Sequence, residues 1–117
     1  MKVKVSALSV TFKITEEEMR GLLAGRVIEE KIVIGKTHFS MVIDPDPHEF
    51  YEDFKKAPLK LILDKAVSCL MLCTTPEEIR KLSDMGKSNR GLFAHIDGLD
   101  VILQVDVRRD SRPRKPA

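Results

Sequence analysis

Residues 75–82 read TPEEIRKL, and residues 15–22 read TEEEMRGL. Both satisfy one template: Thr, any residue, Glu, Glu, an apolar residue, Arg, any residue, Leu. Every fixed position has a structural task. A Thr at the N-cap and a Glu three residues later form a capping box, which satisfies backbone N–H groups left unpaired where a helix starts. The apolar residue and the Leu fall on one helical stripe. Glu17 with Arg20, and Glu77 with Arg80, are placed for i,i+3 ion pairs on the wet side. The template therefore reads as a repeated piece of scaffold, not a repeated functional motif.

The flanks repeat as well. Ahead of Thr15, Val3, Val5 and Ala7 occupy odd positions, whereas Leu8, Val10, Phe12 and Ile14 occupy even ones. One unbroken strand would turn its apolar face outward midway, so a bulge or tight turn is expected near Ser6–Ser9, between strands at about 2–6 and 8–14. In the first helix Met19, Leu22 and Leu23 form the stripe, and Gly25 is placed to end it. "VIEEKIVIGKTHFSMVID" then reads as a hairpin of strands 27–34 and 37–43 about Gly35-Lys36. Ahead of Thr75, "LKLIL" (59–63) alternates as a strand, and "VSCLMLC" (67–73) reads as a more deeply buried one. Behind it, Pro76 suits the first helical position and Glu78 completes a second box. Ile79, Leu82 and Met85 point inward, and Gly86 is the stop. "RGLFAHI" and "LDVILQVDV" flank Asp97-Gly98, the strongest hairpin signal in the chain.

Between the two units, "DPDPHEF" predicts a connecting helix at about 46–56. Asp46 is its expected cap, Pro47 its first residue and Glu49 its third-position acid. Phe50, Tyr51 and Phe54 give it an apolar side, and Pro58 ends it. The fold expected is α+β: a single domain over 1–107, built from two related strand-strand-helix-hairpin (ββαββ) units at 2–43 and 59–107. Most of its sheet is expected to be antiparallel.

The length of 117 residues suits one domain with a real core, and 43% apolar with 32% charged residues is ordinary for a globular chain. No apolar run approaches the roughly 18 residues of a membrane helix. "MKVKVSALSV" lacks the apolar core of a signal peptide, so a cytoplasmic setting is expected, with no membrane partner. Cys69 and Cys73 are then reduced thiols. On a strand they share one face with Met71 between them, too far apart for an easy bridge, and read as small buried hydrophobes. No CxxC and no zinc-like Cys/His spacing is present.

The net charge of +2 is unevenly spread. The tail from Arg108 onward holds Arg108, Arg109, Arg112, Arg114 and Lys115 against Asp110, so residues 1–107 carry about −2. Pro113, Pro116 and the lack of apolar residues predict a disordered tail, able at most to bind phosphates in a strongly salt-dependent way. Aromatics are scarce (five Phe, one Tyr, no Trp), so stacking platforms for nucleic acid are not expected.

Few residues suggest chemistry. His38 and His95 lie on comparable hairpins, one per unit. A metal site combining them with Asp44, Asp46 or Glu49 is conceivable, but no ligand pair stands at helical spacing. Neither cysteine heads a predicted helix, and no Ser sits in a Gly-flanked elbow. In "GKSNRG" (86–91), Lys87, Ser88, Asn89 and Arg90 could hold an anion, although a helix-to-strand loop explains them more simply. No cofactor, metal ligand or catalytic residue is assigned. The candidate ligand or partner residues are His38, His95, Lys87, Asn89 and Arg90.

"KVSALSVTFKITEEEMRGLLAGRVIEEKIVIG" resembles the N-terminal half of a group of small bacterial proteins of unknown function. "LKLILDKAVSCLMLCTTPEEIRKLSDMGKSNRGLFAHIDGLDVILQVDV" is similar to their second half. The chain differs at the last strand, where it reads Val105-Asp106-Val107. The resemblance implies the same fold and a bacterial, cytoplasmic setting, and it brings no site residues. The function expected is a non-catalytic module that binds a protein or small ligand, with self-association through a strand edge as one form. The alternatives are an enzyme or metal-binding protein using a cleft between the units, and an accessory nucleic-acid binder acting through the tail.

Overall fold

The computed structural model of the chain describes residues 1–85 and 91–106. The expected stop at Gly86, the loop 86–90, the strand end at Val107 and the basic tail lie outside the described residues.

β1 (Lys2–Val5) and β2 (Ser9–Ile14) form an antiparallel hairpin. The change of phase is absorbed by a turn, in which the Ser6 N–H donates to the Ser9 carbonyl at 2.8 Å. α1 (Glu16–Leu23) follows. The Thr15 hydroxyl accepts from the Glu18 N–H at 3.0 Å, and the Glu18 carboxylate accepts from the Thr15 N–H at 2.9 Å, closing the box. The helix ends in a Schellman motif: Gly25 at φ +85° donates to Leu22, and Arg26 donates back to the Gly21 carbonyl. β3 (Ile28–Ile34) and β4 (Thr37–Asp44) turn about Gly35 at φ +62°.

A 3-10 helix (His48–Lys55) leads to β5 (Lys60–Asp64), β6 (Cys69–Cys73) and α2 (Pro76–Asp84). β7 (Gly91–Ile96) and β8 (Leu99–Val105) close the order, joined by Asp97 and Gly98, both at positive φ as a type I′ turn requires. At the base of β7, Gly91 faces Gln104, and a Cβ there would collide with the Leu103 carbonyl oxygen.

The strands make two four-stranded sheets, ordered β1-β2-β8-β7 and β3-β4-β6-β5. Hairpin partners pair antiparallel, while the central pairs β2–β8 and β4–β6 are parallel, so most of the pairing is antiparallel. Element order and pairing partners are the same in both units, and each sheet takes one hairpin from each. The two central strands of a sheet both start from a hairpin turn. Both turns therefore share one end of the sheet, and the helix junctions share the other.

The core forms where the sheets and helices meet. Val10, Phe12, Ile14, Val101, Leu103 and Val105 come from the first sheet, and Ile43 and Leu72 from the second. Met19 and Leu22 of α1, with Ile79 and Leu82 of α2, complete it. Each such side chain, fully buried, is worth about 1.5–3 kcal/mol.

Several expectations are corrected. Thr75 caps α2 through the Glu78 N–H at 3.2 Å, but the Glu78 carboxylate turns to Lys81 at 3.4 Å instead of closing a second box. The Glu77–Arg80 pair forms at 3.8 Å, whereas no Glu17–Arg20 pair forms, a small loss because exposed pairs contribute little. Leu23 is 44% exposed, because the helix ends before another layer covers it. The connecting helix is 3-10, begins at His48 and has no side-chain cap. Pro47 holds the backbone before it extended, and the Asp46 N–H is taken by the Asp44 carboxylate at 3.0 Å. β6 starts at Cys69, since residues 65–68 form a turn with Ser68 at φ +52°.

Candidate functional site

The histidines occupy different sheets. His95 on β7 faces Asp100 on β8, with Nδ1 2.6 Å from a carboxylate oxygen, and both side chains are exposed. His38 on β4 faces Val33 in the other sheet. The two hairpins correspond strand for strand, β3 with β7 and β4 with β8, so the counterpart of His38 is Asp100 and that of His95 is Val33. Symmetry between the units therefore gives the two histidines no common position. In the first sheet the row runs Ser9, Asp100, His95. The carboxylate stands between hydroxyl and imidazole, and the Ser9 hydroxyl is 3.0 Å from that of Ser6. A nucleophile–base relay needs the imidazole in the middle, and this row has the wrong order for it.

Asp46 and Glu77 line a cavity of about 490 Å³ at the start of α2, with Phe54, Lys55, Thr74 and Glu78 among the other walls. Thr74 is buried, and its hydroxyl donates to the Pro58 carbonyl at 2.8 Å. The positive end of α2 is already faced by Glu77 and Glu78, acidic residues of its first turn. A second cavity, about 250 Å³, lies between the helices and is lined by Met19, Leu23, Leu82 and Val105, with Glu16, Arg20 and Ser83 at its polar side. Among the described residues no group of three or more His, Cys, Asp or Glu is placed to hold a metal ion.

Cys69 and Cys73 are free, buried, and on the same face of β6. Burial, followed by the negative charge of Asp44, pushes the Cys73 thiol up to about 12. Burial, with Glu29 and Asp64 adding, also raises Cys69. Both are kept as thiols, the unreactive form. Lys87, Asn89 and Arg90, with Arg108, Arg109, Arg112, Arg114 and Lys115, lie outside the described residues.

Exposed large apolar side chains occur on both sheets, with Val5, Leu8 and Phe93 on the first and a group of four on the second. Val33 and Ile34 at one hairpin tip are 62% and 64% exposed. Leu63 and Val67 at the neighbouring tip are 58% and 67% exposed. The tips are adjacent because β4 pairs with β6, and the Ser40 N–H reaches the Ser68 carbonyl at 2.9 Å. Val33, Ile34 and Leu63 lie on strands as the sequence pattern predicts, whereas Val67, expected on a buried strand, lies in the turn ahead of β6. The signal for its exposure lay in Asp64, whose carboxylate accepts from the Ala66 N–H at 3.1 Å and starts the turn. No family model matches the chain, and neither a curated protein nor a solved structure is detectably similar to it.

Proposed function

We propose that the protein is a non-catalytic binding module whose working surface is the second sheet, at its hairpin tips and free strand edges. One observation carries this: four large apolar side chains, Val33, Ile34, Leu63 and Val67, stand exposed on adjacent tips of one open sheet. Exposed apolar surface of this kind marks interaction sites, and an open edge offers unpaired backbone groups to another strand. An origin of the two units by duplication belongs to the same reading, supported by the shared TxEExRxL template and the matching element order, as does a cytoplasmic setting, for which no helix is long and apolar enough to cross a membrane. Among the described residues, an enzyme or metal-binding role would draw on the exposed His95–Asp100 pair. A nucleic-acid role would rest on the tail.

The test is site-specific photocrosslinking in cells that express the full chain. A photoreactive residue at position 34 or 67 is expected to give protein adducts of discrete mass, while the same group at position 17, on the wet side of α1, gives none. Equal adducts at all three positions, or none at 34 and 67, would reject the reading.

A further inference from the structure

We infer that one partner of this surface is a second copy of the chain, joined edge to edge through β5. The inference rests on the binding-module reading and names its occupant. Four strands end the two sheets: β1, β7, β3 and β5. β1 carries Lys2 and Lys4 and no acid, so laying it on a copy of itself gathers like charge. β3 centred on itself sets Lys31 against Lys31. β7 carries neither acid nor lysine and gains nothing electrostatically.

β5 is different. It reads Lys60-Leu61-Ile62-Leu63-Asp64. Turned antiparallel about Ile62, it places Lys60 opposite Asp64 of the copy, at both ends of the pairing. Leu61 then meets Leu63 and Ile62 meets Ile62. Opposite charges and apolar residues directly across a ladder both stabilise it. The pairing also agrees with the faces of the sheet. Ile62 is opposite Met71 and Leu61 opposite Leu72 in the β5–β6 ladder. The joined sheet therefore carries an apolar row on each face across the two-fold axis, and Leu63 is covered. Lys60 also pairs with Asp53 of its own chain at 3.1 Å, so in the dimer its ammonium is shared between that carboxylate and Asp64 of the copy. The Asp64 carboxylate is fixed at the other end by the Ala66 N–H. The product is an eight-stranded sheet, β3-β4-β6-β5 continued by its copy. Five residues of edge bury less than the roughly 1,600 Å² of a standard interface, so the dimer should be weak and concentration-dependent.

Sedimentation of the purified full chain over a range of concentrations tests this. A mass rising toward twice that of the monomer is expected. Asp64→Lys alone and Lys60→Asp alone each set like charges opposite one another and should weaken dimerisation about tenfold. An equimolar mixture of the two variants restores both pairs and should dimerise like the parent. A parent that stays monomeric, or single variants that dimerise as well as the parent, overturns the inference. If either variant melts early, hydrogen exchange on the parent decides instead. The amides of residues 61–63 should gain protection with concentration, and unchanged exchange refutes the pairing. A monomeric chain that still forms adducts at position 34 with other proteins would leave the binding-module reading standing while this inference falls.

Discussion

Cys73 has two neighbours that matter at the scale of single residues: the buried sheet face around it and the carboxylate of Asp44. Together they raise its pKa from 9.0 to about 12. In the unfolded chain the thiol ionises near its ordinary value, while in the folded protein it keeps its proton. Above pH 9 the unfolded state therefore binds fewer protons than the folded one, and stability falls as pH rises toward 12. Urea titrations at pH 7, 9 and 10.5 are expected to show a decline that Cys73→Ala reduces, and a native thiol assay at pH 7 should label Cys73 slowly. Its burial was legible in the sequence, since "CLMLC" has no polar residue to turn outward. The influence of Asp44 was not, because it depends on β4 lying beside β6, where Asp44 is opposite Cys73. The non-equivalence of His38 and His95 was legible, since one follows its hairpin turn and the other precedes its own; only the pairing shows that these are an inner and an outer strand.

Helix starts and hairpin turns were the most readable elements, because their chemistry is local. Thr15, Thr75, Gly25 and Asp97-Gly98 each act within a few residues, and each adopts the conformation its type prefers. Differences arise where two local options compete. Glu78 can reach back to the cap or forward to Lys81 three positions on, and it goes forward; Glu18 has Gly21 at that place and closes its box with one carboxylate oxygen while the other holds the Met1 ammonium at 3.0 Å. The two helices should respond differently. Glu18→Ala, which removes the cap interaction and the Met1 ion pair together, is expected to cost about 1 kcal/mol or somewhat more, and Glu78→Ala only a few tenths, that of an exposed ion pair. Paired thermal melts measure the difference, and equal losses would mean that both boxes close in solution. The connector was the least readable element. The chain bends at Pro45, Pro47 is extended, and the segment that follows coils as a 3-10 helix.

For the whole molecule, the decisive fact is that neither unit owns a sheet. Each contributes one hairpin to each of the two sheets, so a separated half would keep only hairpins, which are marginal alone in water. Residues 1–45 and residues 57–117, made as separate peptides, are each expected to melt without cooperativity, and to regain a cooperative transition when mixed. Circular dichroism during a thermal ramp decides; a cooperative melt by either piece alone would mean that the units fold independently. The crossing also orders events during synthesis. Met41 and Leu70, at the centre of the second sheet, are 29 residues apart, but Val10 and Val101 in the first are 91 apart. As the chain leaves the ribosome, the second sheet can close while the first still lacks half its strands. Val10, Phe12 and Ile14 then lack their β8 partners while some thirty more residues are translated, roughly 2–6 s at about 5–20 residues per second. Nascent chains of this protein are thus exposed to chaperones through their N-terminal hairpin, the part made first and finished last.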